Sequence, residues 1–245
     1  MNKKVALVTG GSTGIGAAIA KELAENGFQV VITGRNEDTL NTSAKQHENI
    51  SYVIADVSKP VDVKKTIEHV TKKHGRLDVL VNNAGIAPSL PFEQVTLEHF
   101  DTIYNTNVRG LVDMTVNAIP LLKASKGNVI NISSVAGDKP LSGIVIYSST
   151  KGAVNTLTRG LAKELALYGI RVNSVSPGPI ETPIFNKMGM TGEEIDHMAT
   201  AISQMVPLKR FGSADEVASV VSYLASDKAS YVTGAQYYVD GGYGA

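Results

Sequence analysis

Tyr147 and Lys151 stand four residues apart in Tyr147-Ser-Ser-Thr-Lys151. On a helix that spacing puts both side chains on one face. A phenol ordinarily titrates near ~10, too high for a base at neutral pH. A nearby ammonium, with any further positive charge bound beside it, favours the phenolate and lowers that value. A tyrosine so placed can protonate a carbonyl oxygen or take a proton from an alcohol. Ser134 lies 13 residues before Tyr147, just after the apolar run Val129 to Ile132. Its hydroxyl can hydrogen-bond the same substrate oxygen and steady the charge developing there. Ser133 is the local competitor for that role.

A second constellation is the turn Thr9-Gly10-Gly11-Ser12-Thr13-Gly14-Ile15-Gly16. It follows an apolar run and opens a helical stretch, the context of a dinucleotide site. Backbone N–H groups and the positive helix end receive a pyrophosphate there, and side chains would block its approach. This marks Gly10, Ser12, Thr13, Gly14, Ile15 and Gly16 as cofactor contacts; a ligand-free strand–helix turn would use the same glycines. The next strand ends Ile32-Thr33-Gly34-Arg35-Asn36. An NAD site places an acid near this point, and here Arg35 stands instead. A guanidinium suits a 2′-phosphate. NADP(H) is therefore favoured, with NAD(H) left open and an ordinary exposed strand-end arginine as the alternative.

Something must hold these groups together. Short β-branched runs at Val5–Val8, Val30–Thr33, Ser51–Ile54, Val79–Val81, Asn128–Ile132, Arg171–Val175 and Gln236–Val239 read as buried strands. Between them, Ile15–Asn26, Pro60–His74, Leu97–Leu122 and Tyr147–Tyr168 carry helical spacing. The alternation predicts an α/β fold, a doubly wound parallel sheet with helices on both faces. Gly27 and Gly169 sit where left-handed helix caps would fall. No repeat or linker divides residues 1–245, so one domain is expected, with one excursion near 183–207.

Composition narrows the function. Lys plus Arg number 23 and Asp plus Glu 23, a balance unlike that of a nucleic-acid binder. There is no Cys, which excludes disulfides, Cys-ligated metal and a thiolate nucleophile. The five His show no metal-ligand spacing with carboxylates, so no metal site is expected. No stretch reaches the ~18 apolar residues needed to cross a bilayer. The apolar run after Met1-Asn2-Lys3-Lys4 is too short for a signal peptide. A cytoplasmic protein without a membrane partner is the expectation.

The glycine turn and Tyr147-x-x-x-Lys151, taken together and in order, resemble the short-chain dehydrogenase/reductase family. Further matches are Asn82-Asn83-Ala84-Gly85, Asn107, the Ser134–Tyr147 spacing, Pro177-Gly178, Arg171-Val172-Asn173 and Val239-Asp240-Gly241-Gly242. The resemblance covers essentially the whole chain. It implies a single Rossmann-like domain with a seven-stranded parallel sheet, assembled as a tetramer or dimer. It also implies that Lys151 contacts the nicotinamide ribose and that Asn107 holds a relay water. By the same likeness Asp56, Val57, Asn83, Ala84, Gly85, Pro177, Gly178, Ile180 and Thr182 line the cofactor. A homotetramer would use the helices at 97–122 and 147–168.

The excursion after Thr182 resembles the family's substrate cover. Thr191-x-x-Glu194 is a capping box, followed by Ile195, Met198, Ala199, Ile202 and Met205 at helical spacing. Met188, Met190, Met198 and Met205 suit an adaptable apolar wall or simply pack the helix down. Leu141, Ile144, Val145 and Ile146 are candidates for the opposite wall. Apart from Lys187 no basic cluster is evident there, which favours a neutral ketone or hydrophobic alcohol. The expected activity is NADPH-dependent ketone reduction. One rival is 3-oxoacyl-[acyl-carrier-protein] reduction, with Lys123, Lys126 and Lys139 as a basic patch near the mouth. Another is a dinucleotide-binding regulator without turnover.

Overall fold

A computed structural model describes residues 3–182 and 200–244. Its seven strands are β1 (Val5–Thr9), β2 (Gln29–Gly34), β3 (Ile50–Ile54), β4 (Val79–Asn82), β5 (Asn128–Ile132), β6 (Arg171–Pro177) and β7 (Gln236–Val239). They form one sheet in the order β3-β2-β1-β4-β5-β6-β7. Every pairing is parallel.

The sheet is covered on both faces, so its strands are apolar on both sides. Side chains alternate along a strand. Ala6 and Val8 of β1 accordingly join Ile19 and Leu23 of α1 (Gly14–Glu25) and Val217 and Val221 of α7 (Ala214–Ala225). Val5 and Leu7 face the other way. They join Val70 of α3 (Pro60–His74), Met114 and Leu122 of α5 (Gly110–Ser125) and Ala162 of α6 (Val145–Leu165). Each fully buried aliphatic side chain contributes roughly 1.5–3 kcal/mol.

Two helices go beyond those the apolar spacing predicts. The first, α2 (Glu37–Ala44), is short and mostly polar, and its signal is the cap: Asn36 accepts from Thr39 N at 3.0 Å. The second, α7, opens with a capping box between Ser213 and Glu216. The expected helix at 97–122 is α4 (Leu97–Tyr104) and α5 joined by a π-helical turn, Asn105–Arg109. Gly27 and Gly169 have φ of +87° and +73°, the left-handed geometry expected of them.

Strand order reverses beside β1, whose neighbours are β2 and β4. Ligands of open α/β sheets bind at such a switch point, outside the carboxyl ends of the strands.

Candidate active site

The candidate residues converge because each follows the carboxyl end of a strand. Gly10 follows β1, Arg35 follows β2, Asp56 and Val57 follow β3, Asn83 to Gly85 follow β4, Ser134 follows β5, and Pro177 ends β6. Helix α6 then lays Tyr147 and Lys151 against the end of β5.

Lys151 is only 5% exposed, and its Nζ donates to the Ile132 carbonyl at 2.8 Å. Burial pushes its pKa down from 10.5 to about 8. Its Nζ lies 5.6 Å from the centre of the Tyr147 ring. Ser134 shares a hydrogen bond with the Tyr147 phenol. Its Oγ also accepts from Ala136 N at 3.1 Å, which leaves the hydroxyl hydrogen free to be given to the phenol. Ser133 points elsewhere, and its Oγ donates to the Lys151 carbonyl at 3.2 Å. Burial raises the Tyr147 phenol above its ordinary value, and the Ser134 hydrogen bond works against that. The lowering expected from the sequence counts on a further bound positive charge besides Lys151, and burial in the chain alone works the other way.

Asn107 sits in the π-helical turn and is 2% exposed. Its Oδ1 accepts from Ile86 N at 2.9 Å, and its Nδ2 donates to Ile86 O at 2.9 Å and Thr150 Oγ1 at 3.1 Å. Both amide hydrogens are thus used in tying the loop after β4 to α6. A relay water of the kind the resemblance implies cannot draw a donor from this side chain. A π-turn inserts one residue and re-aims the side chains around it, a device frequent at functional sites. Gly85 completes the junction: a Cβ there would lie 3.4 Å from Asn107 Oδ1 and 3.7 Å from Lys151 Nζ.

The glycine turn is built for close backbone approach. Gly10 has φ +65°, and a Cβ on Gly16 would lie 2.2 Å from the Gly10 carbonyl oxygen. Asn83 fastens the turn to β4 by donating from Nδ2 to the carbonyls of Thr9 and Gly10, at 2.9 and 3.1 Å. Its backbone N–H and that of Ala84 reach Thr9 Oγ1. Thr13 is extended and its side chain does not cap α1, so among the described residues the first-turn N–H groups of Gly14 and Ile15 have no side-chain acceptor. An uncapped helix N-terminus behind a glycine turn fits a pyrophosphate. Ser12 lies beside Gly34, where a Cβ would meet its Oγ at 3.2 Å.

Arg35 is exposed, and its guanidinium makes no hydrogen bond or ion pair among the described residues. Burial works to raise the Asp56 carboxyl; the two hydrogen bonds from Ser58 and the charges of Arg35 and Lys59 outweigh it and hold it low. Val57 is buried under α5, where a Cβ on Gly110 would lie 2.8 Å from its carbonyl oxygen. Gly178 is pressed onto Asp240, 2.6 Å from where its Cβ would be. Ile180 is 5% exposed and Thr182 half-buried.

Of the expected cover, residues 183–199 lie outside the described residues. They include Lys187, Met188, Met190, the Thr191–Glu194 box, Ile195, Met198 and Ala199. Ile202 is half-buried and Met205 is 63% exposed. Leu141 and Val145 are exposed, Ile144 and Ile146 half-buried. The expected basic patch near the mouth is not assembled. Lys123 lies over the Tyr168 ring at 3.4 Å. Lys126 follows α5 just before β5, at the amino edge of the sheet. Only Lys139 follows the Ser134 turn. A cleft of about 230 Å³ at that amino edge, lined by Lys4, Asp78, Asn128 and Arg171 among others, is remote from Tyr147. Among the described residues no helix is long and apolar enough to cross a membrane, and no metal-binding cluster occurs.

A buried polar ladder runs under the site that the motifs do not announce. Asn82 Nδ2 donates to Thr115 Oγ1 and Asn131 Oδ1, and Asn131 Nδ2 to Thr158 Oγ1, at 2.9–3.0 Å. Its signal in the sequence is asparagines inside otherwise apolar strands.

The fold and site define a nicotinamide-dinucleotide oxidoreductase, and the chain belongs to the short-chain dehydrogenase/reductase family, whose members act on CH–OH and C=O groups. A family model described as enoyl-(acyl carrier protein) reductase matches residues 10–244. The chain is 38% identical to a 3-oxoacyl-[acyl-carrier-protein] reductase of Thermotoga maritima, over 98% of this chain and 97% of that one. It is 40% identical to a glucose 1-dehydrogenase of Gluconobacter oxydans, over 98% and 91%. The crystal structure of a 3-ketoacyl-(acyl-carrier-protein) reductase from Brucella melitensis complexed with NADH superposes with a TM-score of 0.92, at 34% identity over 99% and 98% of the two chains.

Proposed function

We propose that this chain reduces a ketone to a secondary alcohol with NADPH, reversibly. The observation that carries this reading is the Ser134–Tyr147 hydrogen bond beside buried Lys151, at the strand ends that also hold the glycine turn. When bound, the reduced nicotinamide supplies the hydride. Ser134 hydrogen-bonds the substrate oxygen and Tyr147 gives it a proton as the carbonyl carbon is reduced. A phenol raised by burial is protonated at neutral pH, the form that reduction needs. Lys151 uses one N–H on Ile132 and has two more for ribose hydroxyls. Its charge, with that of the oxidised nicotinamide, then lowers the phenol for the reverse reaction. Asn107 holds the loop after β4 against α6.

Gly10, Ser12, Thr13, Gly14, Ile15 and Gly16 would hold the pyrophosphate. Asp56 and Val57 would border the adenine, and Asn83, Ala84, Gly85, Pro177, Gly178, Ile180 and Thr182 the nicotinamide side. The unpaired Arg35 favours NADPH through the 2′-phosphate. Arg35→Asp is expected to raise the Kd for NADPH at least tenfold and to change that for NADH less. A parent enzyme that prefers NADH would overturn this assignment.

A second reading, 3-oxoacyl-[acyl-carrier-protein] reduction, is favoured by two of the similar proteins. The dispersal of Lys123 and Lys126 speaks against a carrier site at the mouth. The intact Ser134, Tyr147 and Lys151 speak against a regulator without turnover. One catalytic domain, active in the cytoplasm, is our reading of the whole chain. A homotetramer would cover Val112 and Val116 of α5 and Leu167 after α6, all exposed here. A panel of simple ketones and a carrier-linked β-ketoacyl thioester, run with each reduced nicotinamide, tests the proposal. Turnover of neutral ketones supports it, and turnover of the thioester alone replaces it with the second reading.

A further inference from the structure

We propose that Asp138 is a positioning residue for this site, clamping the Ser134 turn to α6 and to β7 through a single carboxylate oxygen. The inference rests on the ketone-reducing reading above. Asp138 closes the short turn Val135–Gly137 that follows Ser134. Its Oδ2 accepts three hydrogen bonds: from Asn155 Nδ2 at 3.1 Å, Gln236 Nε2 at 2.6 Å and Tyr238 OH at 3.0 Å. Gln236 Nε2 also reaches Ser176 Oγ at 3.0 Å and Tyr238 OH at 3.1 Å. One atom thus joins the turn to a helix and to a strand that brings nothing to the reacting oxygen.

The junction with α6 lies one helical turn beyond Lys151. Asn155 is 2% exposed, and its Oδ1 has no partner among the described residues. Among those residues Asp138 is the one acceptor its amide hydrogens find. A buried amide without an acceptor is strongly disfavoured. The turn also rests directly on the helix backbone. A Cβ on Gly137 would lie 2.8 Å from the Lys151 carbonyl carbon and 3.0 Å from Gly152 N. No side chain of Gly137 can therefore wedge or hold this contact; the carboxylate beside it does. Release of Asp138 lets the turn shift, and Ser134 Oγ shifts with it relative to the Tyr147 oxygen.

The clamp makes separable predictions. Asp138→Ala is expected to lower kcat by ~10–10²-fold, the scale of a misplacement of about 1 Å. The Kd for NADPH stays within about twofold, because the turn does not touch the glycine cradle. Asp138→Asn keeps an acceptor oxygen in place, so it restores kcat to within about threefold of the parent. A purely stabilising role would instead lower the melting temperature and leave kcat, measured well below it, unchanged. Should Asp138→Ala not fold, Gln236→Leu with Tyr238→Phe removes two of the three donors on the edge strand; the same split between kcat and Kd is then expected. Amide hydrogen exchange at Gly137 and Asp138 gives a readout independent of turnover: protection falls in Asp138→Ala and returns in Asp138→Asn. Tyr147→Phe is run alongside. If it turns over as the parent does, the ketone-reducing reading fails, and the exchange data alone decide the clamp. With Tyr147→Phe inactive, unchanged kcat in Asp138→Ala overturns the positioning role, whatever happens to protection or melting temperature.

Discussion

Replacing Lys151 by Met should make the protein no less stable at pH 7 while removing its activity. The side chain is 5% exposed and has no carboxylate partner among the described residues, only the Ile132 carbonyl. Its pKa falls from 10.5 to about 8, which at 1.36 kcal/mol per unit is about 3 kcal/mol held against folding at neutral pH. Met removes that cost but strands the Ile132 carbonyl, a loss of about 1–3 kcal/mol. The two nearly cancel at pH 7. The pH dependence does not cancel. Between about 8 and 10.5 the unfolded chain holds more protons on this lysine than the folded one, so stability rises with pH across that window. The cost is fully present below pH 8 and gone above 10.5. From pH 7 to pH 10 the parent should gain about 2–3 kcal/mol relative to Lys151→Met from this group. Urea denaturation of both proteins at the two pH values measures it, since the other titrating groups are common to both. A stability difference that stays flat from pH 7 to pH 10 refutes the reasoning, because it would mean the folded lysine titrates like an ordinary one.

Other consequences follow from the same geometry. Gly16→Ala places a methyl group 2.2 Å from the Gly10 carbonyl oxygen. Overpacking of this kind costs about 1–3 kcal/mol, so the melting temperature should fall and the Kd for NADPH rise at least tenfold, read by calorimetry and fluorescence titration. Asn107→Leu strands the N–H and C=O of Ile86 and frees Thr150. A stability loss of about 2–6 kcal/mol, at about 1–3 kcal/mol for each of the two stranded groups, is expected together with reduced kcat; unchanged kcat would show that the π-turn only supports the fold.

How much of this is legible in the sequence depends on the range of the interaction. The seven strands are legible because a parallel sheet buried on both faces needs unbroken β-branched runs. The glycine turn is legible because Gly10 and Gly16 meet within one strand–helix unit. Helix α2 escapes because its eight residues carry few apolar positions, although Asn36 announces its start. The π-turn at Asn107 leaves no mark in the apolar spacing, which runs on through it. Asp138 is invisible because its partners at 155, 236 and 238 are brought to it only by the folded sheet. The opposing effect of burial on the Tyr147 phenol is likewise not legible in the sequence. Proximity of Lys151 can be counted along a helix, whereas exclusion of water from both groups depends on the loops after β4 and β5.

The central claim is that Tyr147 delivers the proton to the substrate oxygen. Single-turnover reduction of a ketone by enzyme preloaded with NADPH, compared between the parent and Tyr147→Phe, tests it most directly. The account predicts a loss of at least ~10²-fold in the rate of NADPH oxidation, with the Kd for NADPH within about twofold of the parent. An unchanged single-turnover rate in Tyr147→Phe would contradict it.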